Sequence, residues 1–261
     1  MRNSIQETGL GVIEVILAIL QARSSSTRFP NKVLADLAGD AMIIQQINRL
    51  KKSKLINKIV VATSIDSSDD LLADLLESAE IPYYRGSLDN VLERFIEVIR
   101  IEKPKVVVRL TADCPLTDPS VIDLVISRHL ASRSDYTSNT ISPTFPDGLD
   151  VECVSPSALM DLHKASPTEI ECEHVTYGLY SRPGFCAIES VKQDDDHSNL
   201  RWTVDIPEDL DFVRLVYAEF APDYSSFTQE DLINLARLKP EFIRTDSILE
   251  RNAGLNKAEA E

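Results

Sequence analysis

Several signatures are missing from this chain of 261 residues. Cysteine is scarce: Cys114, Cys153, Cys172 and Cys186 form neither a C-x-x-C pair nor a Cys/His spacing of the zinc-binding kind, so free thiols in a reducing compartment are expected. No apolar run approaches the length of a bilayer span; the run at 15–20 is far too short. Residues 1–14 carry Glu7 and Glu14 where a secretory signal needs an apolar stretch and a small-residue cleavage site, and the expected location is therefore cytoplasmic. Basic charge is also in short supply. With 27 Lys and Arg against 42 Asp and Glu, the net charge of -15 argues against a wide nucleic-acid-binding face. A small anionic ligand remains compatible, provided a few cations converge locally. The G-x-x-x-x-G-K-[ST] phosphate loop is absent, and Gly9-Leu10-Gly11 precedes the first apolar run instead of following it, which excludes a dinucleotide fingerprint.

What is present is an alternation of short buried runs and helical stripes. The continuous apolar run at 15–20 reads as a strand covered on both faces. Ile43, Ile44, Ile47 and Leu50 fall on one stripe of a helix within 41–54, and 58–63 reads as a second buried strand. The pattern repeats with a helix marked by Leu71, Leu72, Leu75, Leu76 and Ala79, a strand at 81–85, a helix marked by Val91, Leu92, Phe95, Ile96 and Ile99, and a strand at 106–110. This order implies an α/β fold with a mostly parallel sheet and helices on both faces. Beyond Tyr136 the rhythm breaks at the loop 142–148; strands at 149–154 and 185–191 are expected to extend the sheet or build a lid, and 207–220 reads as a helix with Pro207 in its first turn. No repeat or low-complexity linker divides the chain. The expected organisation is an N-terminal extension at 1–14, one main domain at 15–220, and a C-terminal helical segment and polar tail at 221–261.

Three segments carry chemistry. Gln21-Ala22-Arg23-Ser24-Ser25-Ser26-Thr27-Arg28-Phe29-Pro30-Asn31-Lys32 leaves the C-terminal end of the first strand, where open α/β sheets bind ligands. Arg23, Arg28 and Lys32, interleaved with hydroxyl side chains and backbone N–H groups, suit a polyphosphate; an ordinary solvated loop is the plain alternative. Asp113, in Leu110-Thr111-Ala112-Asp113-Cys114-Pro115-Leu116, comes just past another buried strand and shares that rim. Asp205, in Arg201-Trp202-Thr203-Val204-Asp205-Ile206-Pro207-Glu208-Asp209-Leu210, lies between a short expected strand and a helix. Alone it reads as a helix N-cap. With Asp113 it forms a pair of carboxylates able to hold one Mg²⁺ that keeps waters and bridges phosphates.

In that order along the chain, these segments resemble the signature segments of the cytidylyltransferases. The likeness is to the spore coat polysaccharide biosynthesis protein F type, a branch related to acylneuraminate and 3-deoxy-manno-octulosonate cytidylyltransferases. Pro143-Thr144-Phe145-Pro146-Asp147-Gly148-Leu149-Asp150-Val151-Glu152 and Glu173-His174-Val175-Thr176 strengthen it, and the resemblance covers about 15–220. It departs at Ser24-Ser25-Ser26, where Met-Gly-Ser or Gly-Gly-Ser is more usual, and at Phe29, which replaces Leu. The resemblance implies a glycosyltransferase-A-like nucleotide-binding fold, with the loop around Arg23, Arg28 and Lys32 on a nucleoside triphosphate and with Asp113 and Asp205 on Mg²⁺.

The expected activity is transfer of CMP from CTP, or of another nucleotide, to a small sugar or sugar-acid acceptor, with release of pyrophosphate, for surface polysaccharide or glycan biosynthesis. Arg23, Arg28, Lys32, Asp113 and Asp205 form the expected catalytic set. Nucleotide contacts are expected from Gln21, Ala22, Arg23, Ser24, Ser26, Arg28, Lys32, Thr63, Arg109, Thr111 and Asp113. The acceptor is expected at Asp147, Asp150, Glu152, Glu173, His174, Arg201 and Trp202. Asp150 and Glu152 have a plainer reading as the exposed face of a strand, and His174 as a helix-surface residue. The alternatives are a metal-dependent glycosyltransferase using a nucleotide-sugar and a non-catalytic nucleotide-binding protein. A homodimer is compatible with this reading; nucleic-acid and membrane partners are not expected.

Overall fold

The computed structural model describes residues 15–245; the expected extension at 1–14 and the tail beyond 245 lie outside the described residues. The chain begins with β1 (Ile16–Gln21), continues through a 3-10 turn at Lys32–Leu34, and forms a small ribbon from β2 (Asp36–Leu37) and β3 (Asp40–Ala41). Then come α1 (Met42–Leu50), β4 (Lys58–Ser64), a 3-10 turn at Ser67–Asp69, α2 (Asp70–Ser78), β5 (Tyr83–Gly86), α3 (Val91–Glu102), β6 (Val106–Thr111) and α4 (Pro119–Ser132). The second half holds β7 (Tyr136–Ser138), β8 (Glu152–Val154), α5 (Pro156–Lys164), α6 (Glu169–Glu173), α7 (Tyr177–Ser181), β9 (Ile188–Ser190), α8 (Pro207–Glu219) and α9 (Gln229–Leu238).

Seven strands form one sheet in the order β5-β4-β1-β6-β8-β7-β9. All share one direction except β8, which runs antiparallel to both its neighbours. The expected mostly parallel sheet is therefore observed, with β1 in its interior between β4 and β6. Alternation along β1 sorts its side chains between two cores: Ala18 and Leu20 meet α1, α4 and α8 on one face, while Leu17 and Ile19 meet α3 and α5 on the other. This double coverage explains why β1, β4 and β6 read as continuous apolar runs.

Several boundaries differ from the sequence expectation. The first helix stops at Leu50, since 51–54 form a turn, and the strand expected at 149–154 begins only at Glu152. The strand expected at 185–191 is reduced to β9, which pairs with β7 and extends the sheet at its edge. The short strand expected directly before Asp205 is not formed: Arg201 makes a single bridge to Asp147, and Thr203 and Val204 are irregular. The segment after 220 contributes Phe227, Leu232, Ile233, Ala236 and Phe242 to the same core as β1. Among the described residues, no helix is long and apolar enough to cross a membrane.

Candidate functional site

Two backbone hydrogen bonds fix the loop that leaves β1. The Ser24 backbone N–H donates to Asp69 Oδ1 at 2.6 Å, and Asp69 also accepts from the N–H and hydroxyl of Ser64 at the end of β4. The Asn31 N–H returns to the Ser24 carbonyl at 2.9 Å and closes the loop on itself. Asn31 takes a left-handed φ of 60°, which turns the chain so that Lys32 enters the interior. Ser24, Ser25 and Ser26 all keep negative φ, so the loop does not need the conformational freedom of glycine at these positions.

Lys32 joins the three chemical segments. Its Nζ donates to the Val204 carbonyl at 2.6 Å, to Asp205 Oδ1 at 3.1 Å and to Asp113 Oδ2 at 3.4 Å. Burial opposes its charge, yet the two aspartates outweigh that cost and raise its pKa. Burial likewise opposes ionisation of Asp113, but Lys32 and hydrogen bonds from Thr111 and Cys114 hold its carboxyl below the ordinary range. The Val204 N–H donates to the Asp113 carbonyl at 2.8 Å, fastening the end of β6 to the entry of α8. Arg28 pairs with Asp205 Oδ1 at 2.9 Å from the solvent side. Around these groups lies a cleft of about 580 Å³, lined by Gln21, Ala22, Arg23, Ser26, Thr27, Arg28, Lys32, Val33, Thr111, Ala112, Asp113 and Asp205.

Asp205 does not cap α8. That task falls to Asp209, whose Oδ2 accepts the N–H groups of Asp205 and Ile206 at 2.7 and 3.0 Å. Arg201 bridges Asp209 to Asp205, at 2.7 Å to Asp209 Oδ1 and 3.0 Å to Asp205 Oδ2. An acidic residue two places after Pro207 is a helix-start signal legible in the sequence. Asp69 has no such local signal, because its partner Ser24 is distant in the chain.

The other expected residues divide. Arg109 and Glu152 pair beneath the cleft; Arg109 also reaches Gln21 Oε1 at 3.2 Å, and Glu152 accepts from Thr176 at 2.6 Å and Tyr136 at 2.5 Å. Glu152 is buried, not on the exposed face of a strand. Thr63 is fully buried in β4, and its hydroxyl has no partner among the described residues. Glu173 faces Arg23 across the rim at 3.6 Å, both side chains about half exposed. His174 is half-buried, and burial lowers its pKa. Asp147 and Asp150 lie close enough to Cys114 that, after burial and Asp113, they push its thiol pKa up further.

Two acceptor expectations are corrected. Trp202 is 1% exposed and packs in the core, so it offers no surface to a ligand. Arg201 is also buried, its guanidinium engaged by Asp205 and Asp209. Its geometry is that of a brace for Asp205. Gly148 has φ +106°, and a Cβ there would meet the Trp202 carbonyl carbon at 2.8 Å, so glycine permits the loop after β7 to lie against this segment.

A family model described as cytidylyltransferase matches 17–238. The chain is 32% identical over 247 residues to the spore coat polysaccharide biosynthesis protein SpsF of Bacillus subtilis, covering 91% of this chain and 98% of that protein. It is 35% identical over 131 residues to the 3-deoxy-manno-octulosonate cytidylyltransferase of Chlorobium phaeovibrioides, covering 49% of this chain and 51% of that protein. Among solved structures, a cytidylyltransferase from Leptospira borgpetersenii superimposes with a TM-score of 0.83 at 26% identity, covering 91% of this chain and 99% of the other. A CMP:2-keto-3-deoxy-manno-octonic acid synthetase complexed with CTP shares the fold, with a TM-score of 0.59 at 15% identity over 79% of this chain and 99% of the other.

Proposed function

Because this chain belongs to the cytidylyltransferase family, we propose that its cleft holds the triphosphate of CTP and directs CMP onto a sugar or sugar-acid acceptor. The enzyme is a nucleotidyltransferase. One observation carries the assignment of residues: in a chain of net charge -15, Arg23, Arg28 and Lys32 meet Asp113 and Asp205 in a single cleft at the C-terminal ends of β1 and β6.

The donor set fits a hard divalent cation. Asp113 Oδ2 and Asp205 Oδ1 both face the position of one positive charge, the Lys32 ammonium. No group of three or more His, Cys, Asp or Glu side chains suited to a metal occurs among the described residues. Two carboxylates completed by waters and phosphate oxygens are a coordination that Mg²⁺ favours. Bound there, Mg²⁺ would neutralise charge on the phosphate oxygens.

The chain's own residues supply the rest. Arg28 and Lys32 are placed to take negative charge on the β- and γ-phosphates, and Arg201 holds Asp205 in its orientation. An acceptor hydroxyl loses its proton to solvent as its oxygen forms a bond to the α-phosphorus, the bond from the α-phosphorus to the bridging oxygen breaks, and pyrophosphate departs toward Arg28 and Lys32. Catalysis of this kind is chiefly positioning and charge stabilisation. Glu173, which faces Arg23 across the rim, and its neighbour His174 are the proposed acceptor contacts, and SpsF is named for spore coat polysaccharide biosynthesis, which supports a carbohydrate acceptor.

The test is pyrophosphate release from a mixture of protein, Mg²⁺, CTP and a panel of sugars and sugar acids, with the CMP-linked product identified by mass spectrometry. Release that requires both CTP and acceptor supports the reading. Nucleoside diphosphate freed from a nucleotide-sugar would instead mark a glycosyltransferase, and nucleotide binding without either product would mark a non-catalytic role.

A further inference from the structure

Each aspartate of the cleft has one oxygen secured by the protein and one turned to Lys32. Asp113 Oδ1 accepts from the Cys114 thiol at 3.4 Å, and Asp205 Oδ2 accepts from Arg201 at 3.0 Å. The remaining oxygens, Asp113 Oδ2 and Asp205 Oδ1, share the Lys32 ammonium, whose third bond goes to the Val204 carbonyl. An ammonium has three donors, and all are used. Lys32 is 8% exposed, so leaving this position without another anion would be costly.

These are the same two oxygens that a divalent cation on the pair would use. An ammonium and a doubly charged ion cannot both contact them without strong repulsion at short range. We propose that Lys32 is a built-in counter-ion: it occupies the carboxylate pair until a triphosphate offers it a new partner, so that divalent cation and nucleotide enter together. The proposal rests on the reading of the cleft as a site for metal and triphosphate. Arg28, on Asp205 Oδ1 at 2.9 Å with its side chain 43% exposed, is free to leave with Lys32 toward the same phosphates. The Val204 carbonyl holds the ammonium in place when no nucleotide is present. Coupling arises because the triphosphate removes the competitor for the metal's ligands, and by reciprocity the metal favours the triphosphate.

The arrangement predicts opposite effects of one substitution. Loss of the ammonium in Lys32→Met leaves two converging carboxylate oxygens with only the half-exposed Arg28 on Asp205 Oδ1, which strengthens binding of a divalent ion alone. The same change removes a phosphate contact and weakens CTP. A merely structural lysine would weaken both.

Mn²⁺ binding, read from the electron paramagnetic resonance signal of the free ion, tests this without turnover. For the wild type, weak binding of Mn²⁺ alone and an increase of about tenfold with CTP are expected. Lys32→Met is expected to bind Mn²⁺ alone about tenfold more tightly than wild type, with little further gain from CTP. Lys32→Gln, whose amide can still donate to Val204, should behave as Lys32→Met does, and Lys32→Arg as wild type. Thermal unfolding reports folding independently: Mn²⁺ alone should raise the melting temperature of Lys32→Met and leave the wild type unmoved. Tight binding of Mn²⁺ alone by the wild type, or unchanged or weaker binding by both neutral variants, overturns the proposal. If the gain in Lys32→Met persists when Asp205→Asn is added, the metal is not on this carboxylate pair, and the reading of the cleft fails instead.

Discussion

Arg109 and Glu152 stand opposite each other in register across β6 and β8, and their charges pair in the interior. Burial opposes ionisation of Glu152, but Arg109, Thr176 and Tyr136 together hold its carboxyl below the ordinary range. Removing one member strands the other charge. Glu152→Ala is expected to cost about 3–5 kcal/mol of stability, whereas replacing both residues with apolar ones of similar volume should recover much of that loss. Urea unfolding of the two single variants and the double one measures it; a double loss equal to the sum of the two single losses would mean that the charges act independently.

A second buried carboxylate makes stability depend on acid. Glu171 receives two bonds from Arg182, at 2.5 and 2.6 Å, and closes the capping box of Thr168 at the start of α6. The Arg182 hydrogen bonds, against a smaller cost of burial, lower its pKa from 4.5 to about 2. Because the folded value lies below the unfolded one, the stabilisation is complete above about pH 4.5 and is lost as the pH falls toward 2. Glu171→Gln should therefore be less stable than wild type at neutral pH, with the difference shrinking through that acidic window. A pH-independent difference would show that the charge of Glu171 is not what matters.

Arg28 is assigned to the departing pyrophosphate, and Arg28→Ala should weaken CTP far more than CMP. A charged hydrogen bond of about 1.5–3 kcal/mol corresponds to roughly a 10- to 100-fold loss for CTP. Calorimetric titration with both nucleotides decides; equal losses would take Arg28 off the β- and γ-phosphates.

For the proposed metal pair, Asp113→Asn and Asp205→Asn should each lower the rate of pyrophosphate release by about two orders of magnitude or more while the melting temperature changes little. The double variant should be scarcely worse than either single one, as the proposal that both residues serve one ion requires. Asp209, not Asp205, supplies the carboxylate that accepts the N–H groups leading into α8, those of Asp205 and Ile206, so a capping loss does not complicate Asp205→Asn. Full activity of Asp205→Asn at limiting Mg²⁺ would end the two-carboxylate assignment.

If Glu173 and His174 contact the acceptor as proposed, Glu173→Gln or His174→Ala should raise the acceptor KM while CTP affinity stays within about threefold. The Arg23–Glu173 pair is half exposed, and such pairs contribute little, so releasing Arg23 should not disturb nucleotide binding. Steady-state kinetics at saturating CTP, beside direct CTP titration, separate the two. Reduced CTP affinity with an unchanged acceptor KM would move both residues to the nucleotide side.

Much of this protein was legible from local pattern alone. Runs of Val, Ile and Leu marked β1, β4 and β6 because a strand covered on both faces must be apolar throughout. The basic loop was visible for a simpler reason: three cations within ten residues oppose the sign of the whole chain. Tertiary structure decided the partners. Lys32 meets Asp113 and Asp205 across separations of 81 and 173 residues, and local periodicity carries no information about such pairings. It also decided which polar residues face a ligand. Arg201 and Trp202 looked like site residues in a signature segment, yet one became a brace and the other core. Near Arg201 the buried carboxylate of Asp209 required a cation, and the interior beside α8 required the volume of an indole.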